Sequence, residues 1–181
     1  MRAPACLAVA VVAVAGCGTS AAHHPRRRPP SPIAQAQVMH EYRSAPAPQQ
    51  EVSGGSRSPS VAVAAFAVAY INWDADTVSA DMRALASRSV GQARAATQLA
   101  SAETAGDYEL QRDGIANNGT IEAIAPLPGR ADQYVVVTKE WTTATGTTAY
   151  QGLQPAWHVA VATAIQVGPG EWVVSKWQPQ S

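Results

Sequence analysis

Hydrophobic residues recur at three- and four-residue intervals between residues 60 and 73, directly after Pro59. These intervals match one face of a helix, and proline is tolerated in a first turn because the N–H that it lacks would be unpaired there. The pattern therefore predicts a core helix over this stretch. Its buried face is expected to consist of Val63, Phe66, Ala67, Tyr70 and Ile71.

Two further helices are predicted before the chain reaches Gly106. Asp74 or Asp76 is expected to cap the second helix, which runs to about Ser87, because a short acidic side chain accepts hydrogen bonds from free N–H groups of a first turn. Ser89 is expected to begin the third helix, which Gly106 stops. The first half of the folded region is thus predicted to be helical.

Beyond Gly106 the hydrophobic pattern changes from helical to alternating, and turn residues separate segments of strand length. Asn117, Asn118 and Gly119 are predicted to form a hairpin turn, because Asn-Gly is a strong hairpin signal. The strands are expected near 107–115, 119–125, 132–143, 155–167 and 171–178.

The fourth predicted strand has one face of large side chains and one face of small ones. The large face is predicted to be core, and the small face is predicted to contact a protein partner or a second copy of the chain. The large face consists of Trp157, Val159, Val161, Thr163 and Ile165. The small face consists of His158, Ala160, Ala162 and Ala164.

Helices followed by consecutive antiparallel strands favour an α+β fold, with three N-terminal helices packed on a curved antiparallel sheet of four to five strands. The predicted domain covers residues 58–181. This order of elements, which ends in a strand that bears tryptophan, resembles the cone-shaped fold of the nuclear transport factor two superfamily. That superfamily includes enzymes, ligand binders and assembly modules, among them a periplasmic scaffold of type IV secretion and conjugation machines.

The N-terminus carries the pattern of an export signal: Arg2 precedes an uncharged apolar run from Leu7 to Ala15, which is too short to cross a bilayer. The run ends in Val14, Ala15, Gly16 and Cys17, which resembles the lipobox of bacterial lipoproteins. The resemblance implies a signal peptide over 1–16, cleavage before Cys17, and a diacylglyceryl group with chains such as palmitate on its thiol. The alternative is an ordinary secretory signal in which this cysteine is incidental.

A diacylated cysteine is sufficient to hold a protein at the membrane, so the resemblance implies a lipid-anchored protein at the extracytoplasmic face of the cell membrane. Residues 17–57 are rich in Pro, Ser, Gln, Ala and Arg, and we expect a disordered tether there. Cys6 would be removed with the signal peptide, and the thiol of Cys17 would be bonded to the diacylglyceryl group. The mature domain is therefore expected to have no disulfide and no cysteine metal ligand.

The chain has equal numbers of basic and acidic residues, 13 of each, but they are unevenly distributed. Most of the excess positive charge precedes Ser58, and the predicted domain is mildly acidic. Nucleic-acid binding depends on clustered Lys and Arg, so it is not expected of this domain. We also expect no cofactor.

Three groups of residues are candidates for chemistry. Asp74, Asp76 and Asp81 lack the spacing of a calcium loop, so helix capping is the favoured interpretation and no metal is predicted. His158 would need a carboxylate partner to act as a base, and Glu140, Asp107 and Asp113 are available. The candidate lining of a ligand pocket is Tyr70, Trp73, Trp141 and His158.

The favoured hypothesis is a non-catalytic interaction or assembly module of the cell envelope, in a secretion or conjugation apparatus. The alternatives are a protein that binds a small apolar ligand in the cone and an enzyme that uses His158. Cavity volume discriminates between them. A filled cone would exclude both alternatives, whereas a cavity of a few hundred Å³ with His158 at its floor would support them.

Overall fold

The computed structural model describes residues 50–180. The predicted signal peptide, the lipidation site Cys17 and most of the predicted tether lie outside the described residues. Those assignments therefore stay predictions. Among residues 50–180, no helix has the length and apolar character that crossing a bilayer requires.

Helix α1 (Pro59–Ile71) confirms the first predicted helix. It begins where Ser58 Oγ accepts a hydrogen bond from the Val61 N–H, at 3.4 Å, with Pro59 in the first turn. It ends at Asn72, whose extended backbone leads into the sheet. Its predicted buried face is confirmed except that Tyr70 is only half-buried.

The next two helices are also present, but they begin and end through other contacts than predicted. Helix α2 (Val78–Ser87) follows a turn in which Asp74 Oδ1 accepts hydrogen bonds from the N–H groups of Asp76 and Thr77, both at 2.9 Å. Ser89 Oγ donates back to Leu85 O at 3.0 Å, so Ser89 closes α2 instead of beginning the next helix. Helix α3 spans Gly91–Thr104.

A fourth helix, α4 (Tyr108–Asp113), replaces the strand predicted at 107–115, so that prediction was wrong. Asp107 Oδ1 accepts a hydrogen bond from the Leu110 N–H at 3.0 Å, which caps the helix. Gly114 ends it with a positive φ of 56°, a conformation that glycine adopts without steric cost. Local capping therefore outweighs the short alternating pattern.

A short strand after α1 and four strands after α4 form one five-stranded antiparallel sheet, in which neighbours in space are neighbours in sequence. Register shifts between Ile121 and Ala123 in β2, and between Thr163 and Ala164 in β4, are irregularities of the kind that increase strand bending. The helices pack on one side of this curled sheet, which confirms the α+β prediction. The strands are β1 (Trp73–Asp74), β2 (Ile115–Leu127), β3 (Arg130–Ala144), β4 (Ala156–Gly168) and β5 (Glu171–Gln180).

The hairpin predicted at Asn117, Asn118 and Gly119 is wrong, because these residues lie inside β2. Asn117 is buried, and its Nδ2 donates to Ile71 O at 2.7 Å. A Cβ on Gly119 would lie 2.9 Å from Ile71 Cδ1, so glycine lets α1 approach the strand closely. Asn117 and Gly119 therefore contact the end of α1 from within the strand and form no turn.

The core lies between the helices and the inner face of the sheet, and β4 contributes its alanines to that face. Ala160, Ala162 and Ala164 are 6%, 0% and 0% exposed. The predictions that this face contacts a partner and that the large face is core are both wrong. Small side chains on the strand leave room for the bulky groups of α1 and β5, and Phe66 lies 5.3 Å from Trp177 between ring centroids.

Candidate functional site

The large side chains of β4 lie on the outer face of the sheet, which points away from the helices. Trp157 is 61% exposed, and Val159 and Ile165 are each 38% exposed. Cross-strand pairing places Val137 beside Val159 and Val135 beside Val161. We define the outer face by these residues: Val135, Val137, Trp157, Val159, Val161 and Ile165.

Polar and amphipathic side chains border this apolar surface on the β5 side and beside Trp157. Gln178 and Gln180 of β5 pair with Val161 and Val159 and are exposed. The Lys139 ammonium lies 5.7 Å from the Trp157 ring centroid, within the range of a cation–π interaction. An apolar centre with a polar rim is the usual anatomy of a surface that meets another protein.

Two members of the predicted ligand pocket line a small cavity near the end of α1. Tyr70 and His158 contribute to its wall together with Glu140 and Trp177, and its volume is about 140 Å³. Trp73 and Trp141 do not line it; Trp73 packs at the edge of the core and Trp141 is 37% exposed. The structure thus brings together two of the four predicted residues. The cavity is smaller than the roughly 300–1,000 Å³ of typical ligand sites.

The carboxylate of Glu140 is held by donors from the sheet. Asn117 Nδ2 donates to Glu140 Oε2 at 2.8 Å, and Thr138 Oγ1 donates to Glu140 Oε1 at 2.6 Å. Asn117 in turn accepts a hydrogen bond from Thr142 Oγ1 at 3.3 Å. The network connects β2 and β3 and, through Ile71 O, the end of α1. The polar side chains of this network therefore satisfy one another by hydrogen bonding on the inner side of the sheet.

Burial raises the pKa of the Tyr70 hydroxyl above its ordinary value, and the nearby negative charge of Glu140 raises it further. Both effects disfavour the phenolate. Tyr70 therefore keeps a neutral hydroxyl in the cavity at physiological pH. Its ring stacks on Phe66, with centroids 5.9 Å apart.

His158 lies beside this cavity but makes no hydrogen bond or ion pair with any described residue. Each carboxylate considered as its partner has another role: Glu140 accepts from Asn117 and Thr138, Asp107 caps α4, and Asp113 pairs with Arg112 at 2.8 Å. The structure therefore places His158 near one of its three candidate partners without orienting it.

A larger cavity, about 370 Å³ in volume, lies under a segment that the sequence assigned to the tether. We call Ser53–Ser56 the strap. The Ser53 N–H donates to Ser87 O at 2.9 Å, and Ser56 and Trp172 exchange two backbone hydrogen bonds of 2.8 Å. The floor and walls come from α1, the end of α2 and β5. No periodicity in Ser-Gly-Gly-Ser signals this docking, so sequence reasoning missed the cavity.

Within residues 50–180, no group of three His, Cys, Asp or Glu side chains is arranged to hold a metal ion. Asp74 uses its carboxylate to close the turn before α2, and Asp81 lies in the first turn of that helix. Negative charge near a helix N-terminus is favourable. The start of α2 therefore accounts for the contacts of the Asp74 carboxylate and for the position of Asp81, while Asp76 contributes its backbone N–H to the turn.

No protein-family model and no curated protein matches the chain. Among solved structures, the chain is similar to the structure of the VirB8 protein of Agrobacterium tumefaciens, with a TM-score of 0.51 at 15% sequence identity. The likeness covers 75% of this chain and 96% of that chain. At this identity the likeness shows the fold alone. It supports the predicted α+β fold of helices packed on a curved antiparallel sheet.

Proposed function

We propose that this chain is an exported lipoprotein whose domain is a non-catalytic interaction module of the cell envelope. In this proposal a diacylglyceryl group on Cys17 holds the protein at the extracytoplasmic face of the cell membrane. The support for the anchor is the lipobox-like sequence that ends at Cys17. The support for the module is the outer face of the sheet.

The outer face carries the proposal because its apolar side chains are exposed while small alanines fill the core. Trp157, with 61% of its surface exposed, is the strongest anchor for a partner, since tryptophan is enriched at the energetic centres of interfaces. Lys139 is the cross-strand neighbour of Trp157, and its ammonium lies over that ring.

The partner is proposed to be another protein of a secretion or conjugation apparatus. Two observations favour this class: the superfamily resemblance in the sequence, which extends to a scaffold of such machines, and the structural likeness to VirB8. A second copy of the chain is the alternative occupant. The enzyme hypothesis is not adopted, because the cavity beside His158 is small and His158 has no carboxylate partner among the described residues.

The test is site-specific photo-crosslinking in the native envelope. A photoreactive residue at Val159 should crosslink to a defined envelope protein, identified by mass spectrometry, and Trp157→Ala should abolish that product. The control is a photoreactive residue at Leu99, which is 59% exposed and lies on α3. A second arm carries Cys17→Ser, which should release the chain from the membrane fraction and remove the acyl mass from the intact protein.

The crosslinking outcomes discriminate between the hypotheses. A product from position 159 that contains only this chain assigns the outer face to self-association. Identical patterns from positions 159 and 99, or crosslinks that persist in Trp157→Ala, contradict the proposed contact surface. Membrane retention of Cys17→Ser with an unmodified mass contradicts the lipid anchor independently of the contact surface.

A further inference from the structure

The cavity under the strap has the size and composition of a small-molecule site. Its volume of about 370 Å³ falls within the range of roughly 300–1,000 Å³ that ligand pockets occupy. Its floor is apolar and rigid, because it consists of core residues. These are Ala62, Phe66, Leu85, Val173 and Val174, each at most 5% exposed.

One wall of the cavity carries a single cationic side chain. Arg88 follows the last residue of α2, is exposed, and lines the cavity. Its guanidinium makes no ion pair or hydrogen bond with any residue between 50 and 180, and the cavity lining contains no acidic residue. A guanidinium in this position is suited to a carboxylate or another planar oxyanion.

The strap adds polar groups to the lining of the cavity, and its Ser53 end is bonded to Ser87, the neighbour of Arg88. The hydroxyls of Ser53 and Ser56 and the N–H groups of Gly54 and Gly55 have no hydrogen-bond partner among the described residues. The strap is held close to the sheet, since a Cβ on Gly55 would lie 2.8 Å from Glu171 Cβ. It therefore forms a fixed wall, and its free donors are available to an anion.

We propose that this cavity binds an anionic amphiphile, a molecule with a short aliphatic tail and a carboxylate head. The tail lies on the apolar floor and the head is bound by Arg88 and the strap. This site is separate from the outer face, and the proposal does not depend on the proposed function. Ligand binding here does not use Tyr70, Trp73, Trp141 or His158.

The test uses the full chain in aqueous buffer, labelled with 5-fluorotryptophan and observed by fluorine NMR. Trp172 lines the cavity and Trp141 does not, so the two resonances report binding and its location. The Trp172 signal is assigned from its loss in Trp172→Phe. Octanoate should shift the Trp172 resonance in a saturable manner and leave the Trp141 resonance in place, whereas octylamine should not.

Three variants separate the parts of the site. Arg88→Gln should weaken octanoate binding roughly tenfold, because a charge-assisted hydrogen bond is lost. Arg83→Gln is the matched control, since Arg83 is an exposed arginine on α2 that does not line the cavity. Ala65→Phe places a ring in the cavity from the exposed side of α1 and should abolish binding.

The proposal is overturned if octanoate does not shift the Trp172 resonance, if octylamine binds as well as octanoate, or if Arg88→Gln and Arg83→Gln have equal effects. Binding that persists in Ala65→Phe also overturns it, because the ligand would then lie elsewhere. None of these results bears on the photo-crosslinking from position 159, so the two proposals can fail independently of one another.

Discussion

The two faces of β4 differ in both size and role. Toward the helices the strand presents alanines that are almost fully buried, and away from them it presents Trp157 and Val159, which are substantially exposed. In most half-buried strands the bulky apolar side chains would be expected inside. The inversion indicates that the inner face of β4 is shaped for close approach of α1 and Trp177, while the bulky face is available for contact.

The first way to break this comparison is to place a charge on each face of β4. Ala162→Asp should reduce the free energy of unfolding by about 4 kcal/mol or more, because it buries an unpaired carboxylate in a site with no exposed surface. Val159→Asp on the outer face should change it by less than about 1 kcal/mol. Urea unfolding of the full chain measures both, and equal losses would contradict the assignment of the two faces.

A second test applies the same comparison to β2. Asn117→Ala should reduce the free energy of unfolding by about 1–3 kcal/mol, because Ile71 O and Glu140 Oε2 lose a hydrogen-bond donor on the inner side of the sheet. Asn118→Ala is the matched control, since the Asn118 side chain makes no hydrogen bond with a described residue. Thermal unfolding of both variants is the measurement. A larger loss for Asn118→Ala would argue that the register of β2 is wrong.

The smallest expected effect is a dependence of stability on pH, which comes from Tyr70 on the inner side of the sheet. The Tyr70 pKa is raised in the folded state by burial and by Glu140, so the folded chain holds this proton more tightly than the unfolded chain. The resulting stability is present below pH of about 10, the unfolded pKa, and is lost as pH rises toward the folded pKa. Tyr70→Phe should therefore flatten the alkaline part of the stability curve.

Chemical unfolding at pH values from 8 upward measures this effect. Tyr108→Phe controls for the removal of one hydroxyl, because Tyr108 is 70% exposed on α4. If the free energy of unfolding of Tyr70→Phe declines with pH as steeply as that of the parent chain, the burial of Tyr70 does not contribute to the loss of stability at alkaline pH.

Much of the fold was predictable because its signals are local. The spacing of Val63, Phe66 and Ala67 determines which face of α1 is buried, and the capping signals Asp107 and Gly114 bracket α4 and were available to detect it. A short alternating pattern over the same residues favours a strand instead. The helix forms at 107–115 because Asp107 caps its first turn and Gly114 ends it, and these local contacts outweigh the alternating pattern.

The face of β4 was not predictable in the same way. Alternation separates two sets of residues but does not say which set the helices cover, because that depends on the volume supplied by Phe66, Tyr70 and Trp177 from elsewhere in the chain. Likewise, Tyr70, Glu140 and His158 were named from the sequence and do line one cavity. The cavity under the strap depends on long-range docking of Ser53–Ser56 and leaves no local pattern.

The docking of the strap has a consequence for how the sheet ends. A terminal strand with free backbone groups is a template onto which a foreign peptide can be added, which leads to fibres or to recruitment by strand exchange. On β5 the outward-facing groups of Trp172, Val174 and Trp177 are already bonded to Ser56, Val90 and Gln92. At these points the addition of a foreign strand to β5 is blocked.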